Sequence, residues 1–176
     1  MITTKSLALL AEKGDADALF RLGYRCAFSR QRPRPNWVKA VALWQKAAKK
    51  NHTRARFYLG TCFDFGHGVK RDRKKAARLY AQAADDGHVS AMYNLALMYR
   101  DGIGVKKDLF RCVRLLNGAA LLNDADAQRD LGYCLYKGLG VERNMVEAAC
   151  WYRRAAKQGD TKAQRNLALC YLNQST

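Results

Sequence analysis

The sequence predicts an all-α solenoid of antiparallel helix pairs, with a 36-residue repeat and about ten helices. Three observations predict it. The first is a recurring frame. Ala91 leads to Leu95 and Tyr99 and closes on Gly102-Ile103-Gly104-Val105. Ala55 leads to Leu59, Gly60, Phe63 and Gly66-His67-Gly68-Val69, and Ala127 to Leu131, Gly132, Leu135 and Gly138-Leu139-Gly140-Val141. Ala18 opens a variant and Ala163 a last one. These lead alanines stand 36 residues apart, except for 37 in the first step, and a fixed period of this size marks stacked repeats. The second observation is that apolar positions inside each frame fall at spacings of four, one face of a helix. The third is that Gly or Asn recurs at the places where helices must end.

Taken in order, Ser6 to Lys13 reads as a lone helix ended by Gly14, matching the second helix of a repeat. Four full units follow at 15–51, 52–87, 88–123 and 124–159, then an unpaired first helix within 160–176, all in one domain spanning 1–176. Each first helix, A, runs about thirteen residues, roughly 20 Å. The residue after its Leu is small (Gly23, Gly60, Ala96, Gly132, Ala168). A mid-helix Gly costs up to ~1 kcal/mol against Ala, so close approach of a partner helix is expected there. The Gly-x-Gly-Val loop ends the A helix in a left-handed residue, and its Val (Val69, Val105, Val141) pins the loop. Asp72, Asp108 and Asn144, with Asn36 in the same register, cap the second helix, B. Each B helix sets large residues (Trp44, Tyr80, Leu116, Tyr152) beside paired alanines and ends at Asn51, Gly87, Asn123 or Gly159. One loop departs: Ser29 to Pro35 reads SRQRPRP, with both prolines of the chain and three arginines. It reads either as a degenerate end repeat or as a rigid basic finger.

Charge is uneven. The net charge is +17; Arg21 to Arg78 carries 17 Lys/Arg against Asp64 and Asp72 alone, whereas Leu79 onward carries 13 against 10 acids. Such a field attracts something anionic. No apolar run approaches the ~20 residues of a membrane span. The apolar patch at the N-terminus is too short for a signal-peptide core, so a cytoplasmic protein is expected. The six cysteines show no CxxC spacing and no nearby His at ligand spacing, so no metal site and no cofactor are expected. Cys62, Cys134 and Cys170 share a register with Met98, as packing positions do. Buried, reduced thiols are expected.

The frame A-x-x-x-L-G-x-x-Y-x-x-G-x-G-V followed by D-x-x-K-A-x-x-x-Y-x-x-A-A-x-x-G resembles the Sel-one-like repeat family, a relative of the tetratricopeptide repeats. Ala55 to Gly87, Ala91 to Asn123 and Ala127 to Gly159 carry the resemblance. It implies a right-handed superhelix that serves as a protein-interaction scaffold, with no common catalytic residues. Some secreted relatives carry a disulfide in each repeat; the cysteines here do not recur in matching pairs.

By analogy with the related repeats, the A helices line a groove. The residues one before the lead Ala and two, six and nine after it point inward, which selects Phe20, Tyr24, Arg54, Phe57, Tyr93, Arg100, Arg129, Tyr133, Tyr136 and Arg165. Aromatics with arginines are the composition of binding hot spots. The other reading packs Phe20, Phe57 and Tyr93 against the preceding B helix; Arg129 and Arg165, in that register, are the stronger exposed candidates. The A–B loops form a second candidate, a basic edge of Arg30, Arg32, Arg34, Lys70, Arg71, Arg73, Lys74, Lys106, Lys107 and Arg143. Catalytic motifs are missing from the sequence, and His52, His67 and His88 fit capping or solvent exposure. The expected function is a non-enzymatic adaptor for an acidic protein or peptide. The alternative is nucleic acid bound along the basic edge. An exposed apolar face on either terminal helix would favour self-association.

Overall fold

The structure, a computed structural model, describes residues 4–28 and 35–172. It is all-helical, with ten helices and no strand among the described residues. Two compact units divide the chain, Met1–His88 and Val89–Thr176. The first holds α1 (Thr4–Glu12), α2 (Ala16–Phe28), α3 (Trp37–Ala48), α4 (Thr53–Phe65) and α5 (Arg73–Asp85). The second holds α6 (Val89–Asp101), α7 (Leu109–Leu121), α8 (Ala125–Lys137), α9 (Met145–Lys157) and α10 (Thr161–Leu172). Even-numbered helices are the A helices. The SRQRPRP loop, with Arg30, Arg32 and Arg34, lies outside the described residues except for Pro35.

Local chemistry sets the helix ends. Asn36, Asp72, Asp108 and Asn144 each accept a hydrogen bond from the backbone N–H three residues on, at 2.9–3.0 Å. His52 caps α4 through Nδ1, which accepts from Ala55 N–H at 3.1 Å, and Asp124 caps α8 at 2.8 Å. The B helices end on left-handed residues at Asn51 (φ 60°), Gly87 (86°), Asn123 (67°) and Gly159 (92°).

Each helix pair interlocks through the small residue of its A helix. A Cβ built on Gly23 would stand 2.5 Å from Nε1 of Trp44, and that nitrogen donates to the carbonyl of Phe20 at 3.2 Å. Cβ atoms on Gly60 and Gly132 would stand 2.9 Å from the rings of Tyr80 and Tyr152. In the third repeat the small residue is Ala96, and the facing large residue shrinks to Leu116. Trp44, Tyr80, Leu116 and Tyr152 are all at most 1% exposed. Burying a side chain of this kind stabilises by roughly 1.5–3 kcal/mol.

The second glycine of each loop has a role beyond capping. Gly68 lies against the backbone of Trp37, where a Cβ would come 2.5 Å from the carbonyl carbon; Gly140 lies equally close to Leu109. Both loops therefore rest on the first residue of the preceding B helix. The thiol register is core: Cys62, Met98, Cys134 and Cys170 are at most 5% exposed. Cys150, expected to be buried with the others, is exposed, and all six cysteines are free.

Candidate functional site

The position two residues after each lead Ala is a joint between repeats. Phe20 is 2% exposed, and its ring stacks on His52 at 4.8 Å and 21°. Phe57 stacks on His88 at 4.3 Å and 20°. Phe20 is thus buried and Phe57 half-buried. Each packs forward onto the residue that precedes the next A helix, where packing against the preceding B helix was the expected alternative. In the second unit the same two positions hold Arg129 and Asp160, joined at 2.7 Å. Arg129 was expected to be the more exposed member of this register. It is instead 15% exposed in its side chain and bonds Asp126 at 2.6 Å and Asp130 at 2.9 Å. Tyr93 donates its hydroxyl to Asp130 at 3.1 Å, and Arg100 chelates Asp101 at 2.8 and 3.0 Å. The physical reason is direction: this side chain points along the stack, where it meets a capping residue, and the pair must match as ring on ring or as ion pair. Burial works to raise the Asp160 carboxyl, but the Ala163 N–H and the Arg129 guanidinium hold it below the usual carboxylate range. Hydrogen bonds from Arg100 do the same for Asp101.

Other groove candidates do face solvent. Tyr24 and Tyr133, both six residues after a lead Ala, are 41% and 47% exposed, and Leu169 continues the register on α10. Tyr133 and half-buried Tyr136 line a pocket of about 190 Å³ with Lys137, Tyr152, Asn166 and Leu169. Arg165 is exposed, and so is Arg54, whose guanidinium sits 4.6 Å over the Phe20 ring.

Several rings escaped the sequence reading. Tyr58 centres a cluster with Phe20, Tyr24, Phe28, Trp44 and Phe57 at 5.3–5.9 Å, and burial raises its hydroxyl above the ordinary tyrosine value. A chain of rings leads outward from it. Tyr24 meets Phe28 at 4.8 Å, and Phe28 meets Trp37 edge-on at 5.2 Å. Trp37 then stacks on His67 at 4.8 Å and 24°, and His67 on Phe65 at 5.9 Å and 20°. Phe28 stands four residues after Tyr24 and His67 two after Phe65, but Trp37 and Tyr58 come from other turns.

The described cations of the basic edge are all exposed: Lys70, Arg71, Arg73 and Lys74 in the first unit, Lys106, Lys107 and Arg143 in the second. Arg73 lies 3.5 Å from Asp64. Lys106 and Lys107 line a pocket of about 510 Å³ with Tyr99, Val105, Asp108 and Arg111. Among the described residues no group of three or more His, Cys, Asp and Glu side chains could hold a metal ion. Burial pushes the Cys62 thiol up to about 12, which keeps it protonated and unreactive.

Antiparallel helix pairs, repeated with glycine and asparagine at their turns, define a tandem helical-repeat protein. The Sel1 repeat model matches residues 16–52, 53–88, 89–124, 125–160 and 161–175, and the chain belongs to the Sel1 repeat family. Members of this family act as protein–protein interaction scaffolds. Among solved structures, the chain is similar to a protective antigen of uropathogenic Escherichia coli strains with this fold, at 32% identity and a TM-score of 0.92. That match covers 99% of this chain and 37% of the antigen. A Sel1 repeat protein from Oxalobacter formigenes matches at 33% identity and TM-score 0.81, over 93% of this chain and 65% of that one. Cysteine-rich protein B of Helicobacter pylori matches at 27% and 0.55, over 70% and 94%. The chain thus spans less than two thirds of the first two relatives. No curated protein matches it.

Proposed function

We propose that the chain is a non-enzymatic adaptor that takes an acidic peptide or protein against the exposed faces of its A helices. The observation that carries this reading is the register of Tyr24 and Tyr133, two large rings 41% and 47% exposed on a chain of net charge +17. Tyrosines at such positions supply the buried area of binding hot spots. Of the groove cations, Arg54 in the first unit and Arg165 in the second are exposed, Arg100 is exposed but chelated by Asp101, and Arg129 is held by Asp126, Asp130 and Asp160. Charge complementarity speeds encounter and rejects unsuitable partners. The free thiols fit a cytoplasmic setting. No helix among the described residues is long and apolar enough to cross a membrane.

The test is capture from lysate at moderate salt, with and without nuclease. A protein retained by the wild type after nuclease and lost with Tyr24→Ala and Tyr133→Ala supports the reading. Loss of every captured protein on nuclease treatment assigns the chain to nucleic acid instead.

A further inference from the structure

We propose that the loop edge of the first unit is a platform for single-stranded nucleic acid, built from the Trp37–His67–Phe65 ring stack and the cations of the adjoining loop. This surface is separate from the A-helix face and stands independently of the adaptor reading.

The stack is held in place by backbone. Gly68 seats the loop against Trp37, and Asp72 N–H donates to the Phe63 carbonyl at 2.8 Å, folding residues 66–71 back over the end of α4. This fold brings Arg71 beside Gly66, where a Cβ would come 3.6 Å from that of Arg71. The three rings are within 24° of parallel in each step, and the outermost, Phe65, is 64% exposed. Lys70, Arg71 and Lys74 are exposed, and no carboxylate pairs with them among the described residues. Asp64 is held by Arg73, and Asp72 is engaged as the cap of α5. Flat open rings beside unpaired cations match what a single strand offers, bases to stack and phosphates to neutralise. A duplex keeps its bases inside, and an acidic peptide uses the cations but has no need of stacked planes.

The experiment uses the full chain and a labelled dT oligonucleotide about 16 nucleotides long, followed by fluorescence anisotropy across a salt series. Binding at low salt should weaken about tenfold with Phe65→Ala and with Phe65→Leu, with the salt slope unchanged. Lys70→Ala with Arg71→Ala should flatten the log–log salt slope by about 1.4. Phe110→Ala, which removes an equally exposed ring from the second unit, should bind as the wild type. Circular dichroism confirms that each variant is folded. Failure of the oligonucleotide to bind at low salt overturns the proposal. So does wild-type affinity in both Phe65 variants. Displacement by polyglutamate as effective per charge as by unlabelled dT also overturns it, and marks the edge as a site for acidic polypeptide.

Discussion

If the glycine of each A helix exists to admit the aromatic of its B helix, then Gly60 and Tyr80 must be energetically coupled. A Cβ on Gly60 would lie 2.9 Å from both Cδ1 and Cε1 of Tyr80, a ring fully buried and without room to retreat. Overpacking of this kind costs about 1–3 kcal/mol, while Gly→Ala in a helix returns up to ~1 kcal/mol, so Gly60→Ala should destabilise by up to ~2 kcal/mol. Tyr80→Leu alone should cost about 2–4 kcal/mol through lost volume and the lost hydrogen bond to Thr61, 3.3 Å away. In the Tyr80→Leu background the ring is gone, leaving Leu79 Cβ at 3.4 Å, and Gly60→Ala should become stabilising by up to ~1 kcal/mol. The double variant recreates the Ala96–Leu116 pairing of the third repeat. Urea denaturation of the four species, with midpoints compared at constant m, gives the coupling, expected at about 1–3 kcal/mol. Equal costs of Gly60→Ala in both backgrounds would refute the reasoning.

Other consequences are as direct. Arg129→Ala should destabilise by about 1–3 kcal/mol, less than the ~3–5 kcal/mol of a fully buried pair because its carboxylates keep some water, and the loss should be read in denaturation. His88 has its pKa lowered by burial and then by Arg54, so the fold favours the neutral ring. The stability this contributes is complete above about pH 6.5 and falls as pH drops below it. His88→Asn should flatten that part of the stability–pH curve. Cys150 should react rapidly with a thiol reagent in the native state and the five buried cysteines only after unfolding, measured as a fast fraction of one thiol in six. Two or more fast thiols would contradict the packing.

What was legible in the sequence is what short-range chemistry dictates. Asp72 and Asn144 announce caps because a side chain reaches the N–H three residues on, and Asn51 and Gly87 announce left-handed ends because few residues tolerate them. The face of each helix was harder to read. The side chain two after the lead Ala could point into a groove or along the stack, and spacing alone does not separate the two. Its partner did leave a trace: His52 and His88 accompany Phe20 and Phe57, while Asp160 accompanies Arg129. Asp126 and Asp130, which also bind Arg129, sit within one helical turn of it. The Trp37–His67–Phe65 stack left no trace, because its rings come from two helices and a loop brought together by Gly68.

The central claim is that exposed tyrosines on the A helices capture an acidic partner. Its most direct test is titration of the purified captured partner against the wild type, Tyr24→Ala, Tyr133→Ala and the joint variant Arg129→Lys, by calorimetry at fixed salt. The account predicts that each tyrosine variant loses about tenfold or more in affinity while Arg129→Lys, if folded, binds within about twofold of the wild type. Full affinity in both tyrosine variants would contradict it.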